Sequence, residues 1–142
     1  MAVMPDHLAP KTAPTPNTDV QPKLLRCYAD AAGETHLEVL EISPDAGMLP
    51  LEGLTARSYN PTNVGWHKAP QRQFAINLSG DLQVEVTDGT KRKVGPGDLV
   101  LLDDIVGKGH ITRLLGAVTC LFIRVPDGVD VAAWARGELA KG

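Results

Sequence analysis

From Lys23 onward the chain alternates apolar and polar positions with a period of two, in short stretches separated by Gly, Pro, Asn and Asp. That is the signature of half-buried β-strands. Leu25, Cys27 and Ala29 alternate with polar neighbours, and after Gly33 the segment from Thr35 to Ile42 predicts a second strand, closed by Ser43-Pro44-Asp45-Ala46-Gly47. Leu54 to Tyr59 is a weaker strand. In the next one, Phe74, Ile76 and Leu78 share one face, and Gln73, Ala75 and Asn77 share the other. Ser79-Gly80-Asp81 turns into Leu82, Val84 and Val86, and Asp88-Gly89 is the strongest hairpin dipeptide in the chain. Gly95-Pro96-Gly97-Asp98 predicts a tight turn into the buried run Leu99-Val100-Leu101-Leu102. Val106 to Leu115 and Ala117 to Val125 supply two further strands. Only the end of the chain reads as helical, with Asp130 positioned to cap Val131, Ala132, Trp134, Ala135, Glu138 and Leu139.

Residues 1–22 lack this periodicity and contain Pro5, Pro10, Pro14, Pro16 and Pro22, which predicts an extended arm. The division expected is therefore an arm over 1–22, an all-β body over 23–127 and a helical tail over 128–142. At 142 residues the chain has room for one domain of ordinary size. Many short strands between Gly/Pro turns point to a sandwich, jelly roll or small barrel, with the space between its sheets as the default ligand site.

Charge narrows the partners. Fourteen Lys and Arg against seventeen Asp and Glu leave a net charge of −3, so nucleic acid is not expected as a ligand. The longest apolar stretch, Ala117 to Ile123, is far short of the ~20 residues of a membrane span. The first residues lack the basic start and apolar centre of a secretory signal, so the expected location is cytoplasmic. Cys27 and Cys120 stand apart in apolar strands and read as buried reduced thiols. Lys91-Arg92-Lys93 reads as a solvated hairpin edge, and Tyr59 as a core residue.

Candidate chemistry gathers in three segments, Trp66-His67-Lys68-Ala69-Pro70-Gln71-Arg72-Gln73 with the following Phe74 to Gly80, Gly95-Pro96-Gly97-Asp98, and Gly107-Lys108-Gly109-His110. Together they resemble the cupin superfamily over roughly residues 54 to 125. The family's first motif is His-x-His, three or four residues, Glu, six residues, Gly; its second is Pro-x-Gly-x-x-His. His67 stands at the first histidine, Ala69 at the second, Gln73 at the glutamate and Gly80 at the glycine, while Gly107 and His110 match the second motif with Ile105 at its proline. The resemblance implies a double-stranded β-helix jelly-roll barrel, a homodimer and a small-molecule ligand. It implies a divalent metal (Fe, Mn, Ni or Zn) held by His67, His110 and Gln73, weakly because half the usual ligands are replaced, with Asp103 or Asp104 as a nearby carboxylate.

The same residues serve a metal-free site. Two histidines in a partly apolar interior suit proton transfer on a carbonyl or enol, as in an isomerase, cyclase or lyase. His67, His110 and Gln73 are then the catalytic candidates, and Gln71, Trp66 and Asn77 the substrate-binding ones. Gln71 and Gln73 share a strand face, whereas Arg72 and Arg113 alternate away from the interior. A metal-dependent oxygenase or isomerase and a non-catalytic binding module are the alternatives. His67 read without function is a packing residue at the end of a loop, and neither His7 nor His36 has an expected role.

Overall fold

The computed structural model describes residues 14, 15, 17 and 19–139. Most of the proline-rich arm, His7 included, therefore lies outside the described residues. Its last residues run beside the second strand, where Gln21 Nε2 donates to the carbonyl of Ile42 and Ile42 N donates to that of Pro22.

Ten strands follow in chain order: β1 (Lys23–Ala29), β2 (Thr35–Glu41), β3 (Glu52–Tyr59), β4 (Asn63–His67), β5 (Gln73–Ser79), β6 (Leu82–Val86), β7 (Lys91–Val94), β8 (Leu99–Leu102), β9 (His110–Leu114) and β10 (Val118–Arg124). One short helix, α1 (Val131–Ala135), ends the described chain. The strands form a six-stranded sheet in the order β2-β1-β8-β5-β10-β3 and a four-stranded sheet in the order β4-β9-β6-β7. This is the all-β jelly-roll architecture expected from the sequence, with its C-terminal helix.

The expected barrel is not closed. No hydrogen-bonded ladder joins the two sheets among the described residues. At one junction, side chains do the joining: Thr35 N donates to Thr87 Oγ1 (2.6 Å) and Thr87 N to Thr35 Oγ1 (3.0 Å), while Thr35 Oγ1 is also 2.7 Å from the Gly109 carbonyl. A threonine pair satisfies two buried amides there without continuing the strand pairing.

The six-stranded sheet has an apolar cluster on each face. Leu24, Phe74, Leu101, Val125 and Val131 form the outer one, covered by α1 and by Leu40, Ile42, Leu49 and Leu51. Val84, Val94 and Val100, with Leu25, Ala75, Leu82 and Leu102 around them, form the inner one. The run Leu99-Val100-Leu101-Leu102 has no polar position because β8 lies in the middle of this sheet and sends alternate side chains into both clusters. α1 is shorter than its pattern predicted, yet Asp130 caps it as expected, accepting from Ala133 N, and Trp134 Nε1 donates to the Gly47 carbonyl. A cap of this kind stabilises a helix by ~1 kcal/mol.

Two expectations change. The predicted strand from Val106 to Leu115 begins only at His110, because Gly107 and Gly109 take positive φ and bend the chain before it. The segment read as a loop ending at His67 is instead strand β4. Lys91, Arg92 and Lys93 lie exposed on the edge strand β7, as anticipated.

Candidate active site between the sheets

A cavity of about 310 Å³ lies between the sheets. β5 sends Gln73, Ala75 and Asn77 into it, β9 sends His110, Thr112 and Leu114, and β4 sends Val64 and His67. The β4 contribution depends on an irregularity. Val64 pairs with Thr112, but His67, not Trp66, pairs with His110, so β4 carries one extra residue at this point. Such a bulge reverses the alternation beyond it. His67 turns inward and Trp66 outward.

The register brings the two histidines together, with ring centroids 4.3 Å apart and planes inclined by 56°. Gly109 makes this approach possible. A Cβ at that position would stand 2.2 Å from the His67 carbonyl oxygen, so the β9 backbone can lie against β4 only because residue 109 has no side chain.

His110 is 2% exposed and Asp104 is fully buried. His110 Nδ1 donates to Asp104 Oδ2 at 2.5 Å. The carboxylate thus fixes the tautomer and leaves Nε2 without a protein partner among the described residues. His67 is half-buried, and its Nδ1 donates to the Gly65 carbonyl at 2.7 Å, which also leaves Nε2 free. Gln73 is buried, and its Oε1 accepts from Gln71 Nε2 at 3.3 Å, which directs its own NH₂ group away from that contact.

The structure therefore assembles His67, His110 and Gln73 and separates the other three candidates from them. Trp66 is 50% exposed and absent from the cavity wall because of the β4 bulge. Gln71 is exposed and reaches the site only through Gln73. Asn77 lines the cavity, but its amide donates to Gly80 O and Val94 O and its Oδ1 accepts from the Cys120 thiol, so its polar atoms hold the turn and the wall. Tyr59 is no core residue; it lines the cavity and is 42% exposed. Arg72 and Arg113 point away from the cavity, to Asp103 and Glu85 respectively.

Of the two carboxylates foreseen near the site, Asp104 holds His110, whereas Asp103 takes Arg26 and Arg72. Nothing in the sequence separates these adjacent residues; alternation after β8 does, since consecutive side chains leave a strand on opposite sides. Cys27 was missed as a neighbour of the site. Cys27, Asp104 and His110 offer ligand atoms within 4.8 Å of one another, all buried.

These donors do not match the metal that the resemblance implies. Facing the cavity are two imidazoles and one neutral amide, Ala69 supplies no donor, and the Asp104 carboxylate lies behind the His110 ring, with Oδ2 on Nδ1 and Oδ1 buried without a hydrogen-bond partner among the described residues. Catalytic zinc and non-haem iron sites commonly include an anionic ligand among their protein donors. In the Cys27 cluster, burial is the main cause that pushes the thiol well above its ordinary pKa, with Asp104 adding to it.

No family model and no curated protein matches the sequence. Among solved structures, a protein from Neisseria meningitidis is 15% identical, with 56% of this chain and 84% of that chain covered and a TM-score of 0.44. A cupin-2 domain-containing protein from Shewanella frigidimarina is 16% identical, covering 51% and 69% with a TM-score of 0.42. A cupin superfamily protein from Desulfitobacterium hafniense is 15% identical, covering 75% and 79% with a TM-score of 0.43. Similarities this distant add nothing to what the strands themselves show. The chain is a two-sheet jelly roll in which His67 and His110, the residues through which the sequence resembles the cupin motifs, pair across β4 and β9.

Proposed function

We propose that this chain is an enzyme acting on a small carbonyl compound bound between its sheets, with proton transfer at the carbon beside the carbonyl as the chemical step. The observation that carries the reading is the buried Asp104–His110 hydrogen bond, which leaves His110 Nε2 as an acceptor at a cavity wall. A carboxylate behind an imidazole orients it and stabilises the imidazolium formed when the ring takes a proton.

In the step, His110 Nε2 removes a proton from the carbon next to the carbonyl. The C–H electron pair becomes the C=C bond of an enolate, and the carbonyl π pair moves onto oxygen. The NH₂ of Gln73, oriented by Gln71, donates to that oxygen as its charge develops. The proton then returns from His110 Nε2 to the α-carbon, on either face of the enolate, as the carbonyl re-forms, while the adjacent His67 ring packs against His110 and shields the exchange from the rest of the cavity. General-base catalysis of this kind contributes about 10²- to 10⁴-fold.

Hydrogen–deuterium exchange at the α-carbon of simple methyl ketones in D₂O tests the reading directly. The wild-type chain is expected to accelerate exchange, and His110→Ala to abolish the acceleration while binding the ketone and staying folded. Exchange unaffected by His110→Ala overturns it.

A further inference from the structure

The cavity wall contains no Lys, Arg, Asp or Glu among its described residues. Its imidazoles and the Gln73 amide gather at one end, whereas the other end holds aliphatic groups with only neutral polar side chains among them, the hydroxyls of Tyr59 and Thr62 and the Asn77 amide that is already bonded to the turn. In the ladder between β6 and β9, Val86 pairs with His110, Val84 with Thr112 and Leu82 with Leu114, so a path along β9 passes from the histidines to a purely aliphatic pair. Four residues at ~3.3 Å each make this path about 13 Å long. His67 pairs with His110 at this end, Gln73 enters it from β5 opposite Leu102, two residues before the Asp104 that holds His110, and Ala75, Val84 and Thr112 line the middle.

We infer that the ligand is an uncharged molecule with one oxygen-bearing head at the His67–His110–Gln73 end and an unbranched or narrow apolar tail running toward Leu82 and Leu114. An anionic head is disfavoured because Asp104 already supplies the negative charge beside His110, and no Lys or Arg lines the wall to pair a second one. A cationic head finds no carboxylate on the wall. Burial of an unpaired charge is costly, whereas each methylene buried along the tail strengthens binding. Ala75 is the residue that sets tail length, since its small side chain leaves the middle of the path open.

The inference rests on the same cavity as the proposed reaction, but binding alone decides it. The probes are 2-alkanones from butanone to decanone, with n-alkanoates and primary n-alkylammonium ions of equal length, titrated by ligand-observed NMR. Alkanone affinity is expected to rise about fourfold per methylene until the cavity is full. Charged congeners are expected to bind at least a hundredfold more weakly at every length. Ala75→Leu shortens the best-bound ketone by one or two carbons, and Leu114→Ala, which empties the far end, lengthens it. Charged congeners within tenfold of the ketones overturn the inference, as does an absence of ketone binding up to the solubility limit or a length preference unmoved in both variants. Tight ketone binding without α-deuteration overturns the proton-transfer reading and leaves this one standing.

Discussion

His110 Nδ1 and Asp104 Oδ2 lie 2.5 Å apart inside a shell that leaves both residues almost wholly inaccessible to solvent. The pair has its hydrogen bond on one side and the cavity on the other, so any proton lost or gained by the ring is exchanged at Nε2. Asp104→Asn retains the shape and removes the charge. It is expected to lower ketone exchange by about a hundredfold or more, within the range of general-base contributions. Imidazole ¹⁵N spectra check the cause: wild-type His110 shows the Nδ1–H tautomer, and the variant a mixture or the opposite one. An unchanged tautomer with lost exchange contradicts the assigned role of Asp104.

Gly109→Ala drives a methyl group into the His67 carbonyl and places an alanine at φ +79°. Both effects are expected to cost the fold, together ~2 kcal/mol or more. Gly89→Ala is the control, because that hairpin glycine also has positive φ but open space around its Cβ position. Its expected cost is ~1 kcal/mol, the conformational effect alone. Urea denaturation of both variants separates steric closeness from backbone preference, and equal losses rule out the close approach as the cause.

Cys27 is fully buried and its thiol is held well above the ordinary pKa, first by burial. The native protein is expected to leave Cys27 unmodified by iodoacetamide at pH 8 over hours, with rapid alkylation in denaturant. Peptide mass spectrometry reads each cysteine separately. Rapid native alkylation at Cys27 is incompatible with the described packing.

His36, which the sequence left without a role, bridges two loops, with Nε2 2.7 Å from Asp30 Oδ2 and Nδ1 2.9 Å from Asp88 Oδ2. These bonds raise the imidazole pKa, Asp30 most of all, while Asp30 is lowered chiefly by His36 and Asp88 first by Thr90 and then by His36. A raised folded-state pKa contributes stability that is full below the unfolded value near 6.5 and is lost as pH rises through the folded value. Lowered carboxylates contribute above their unfolded values near 4 and lose that contribution as pH falls. The clasp therefore contributes most in mildly acidic solution. NMR titration is expected to find His36 above the usual histidine range in wild type and closer to it in Asp30→Asn. A titration point at or below the ordinary value in wild type contradicts the bridge.

The strands were legible because one-sided burial imposes alternation on sequence. Gln73, Ala75 and Asn77 read correctly as one face of β5, since both faces of that strand meet different surroundings. Trp66 did not read correctly because a bulge is a property of the pairing between β4 and β9, and an extra residue leaves no mark on composition. Asp104 and Asp103 were indistinguishable for a related reason, as their roles depend on which side of β8 each leaves. Cys27 joins the site from 77 positions before Asp104 in sequence, through the parallel pairing of β1 with β8, and a long-range neighbour of that kind has no local pattern. Tyr59 was misplaced by composition: scarcity of aromatic residues argued for the core, but β3 is an edge strand exposed along its whole length.

The six-stranded sheet shares its strands between two apolar clusters, so adjacent residues of one strand serve opposite sides of it. Phe74 and Leu101 secure the helix-covered side, while their immediate neighbours Ala75 and Val100 shape the hollow side. A substitution at Ala75 reshapes the hollow from inside the second cluster and leaves the helix-covered cluster untouched.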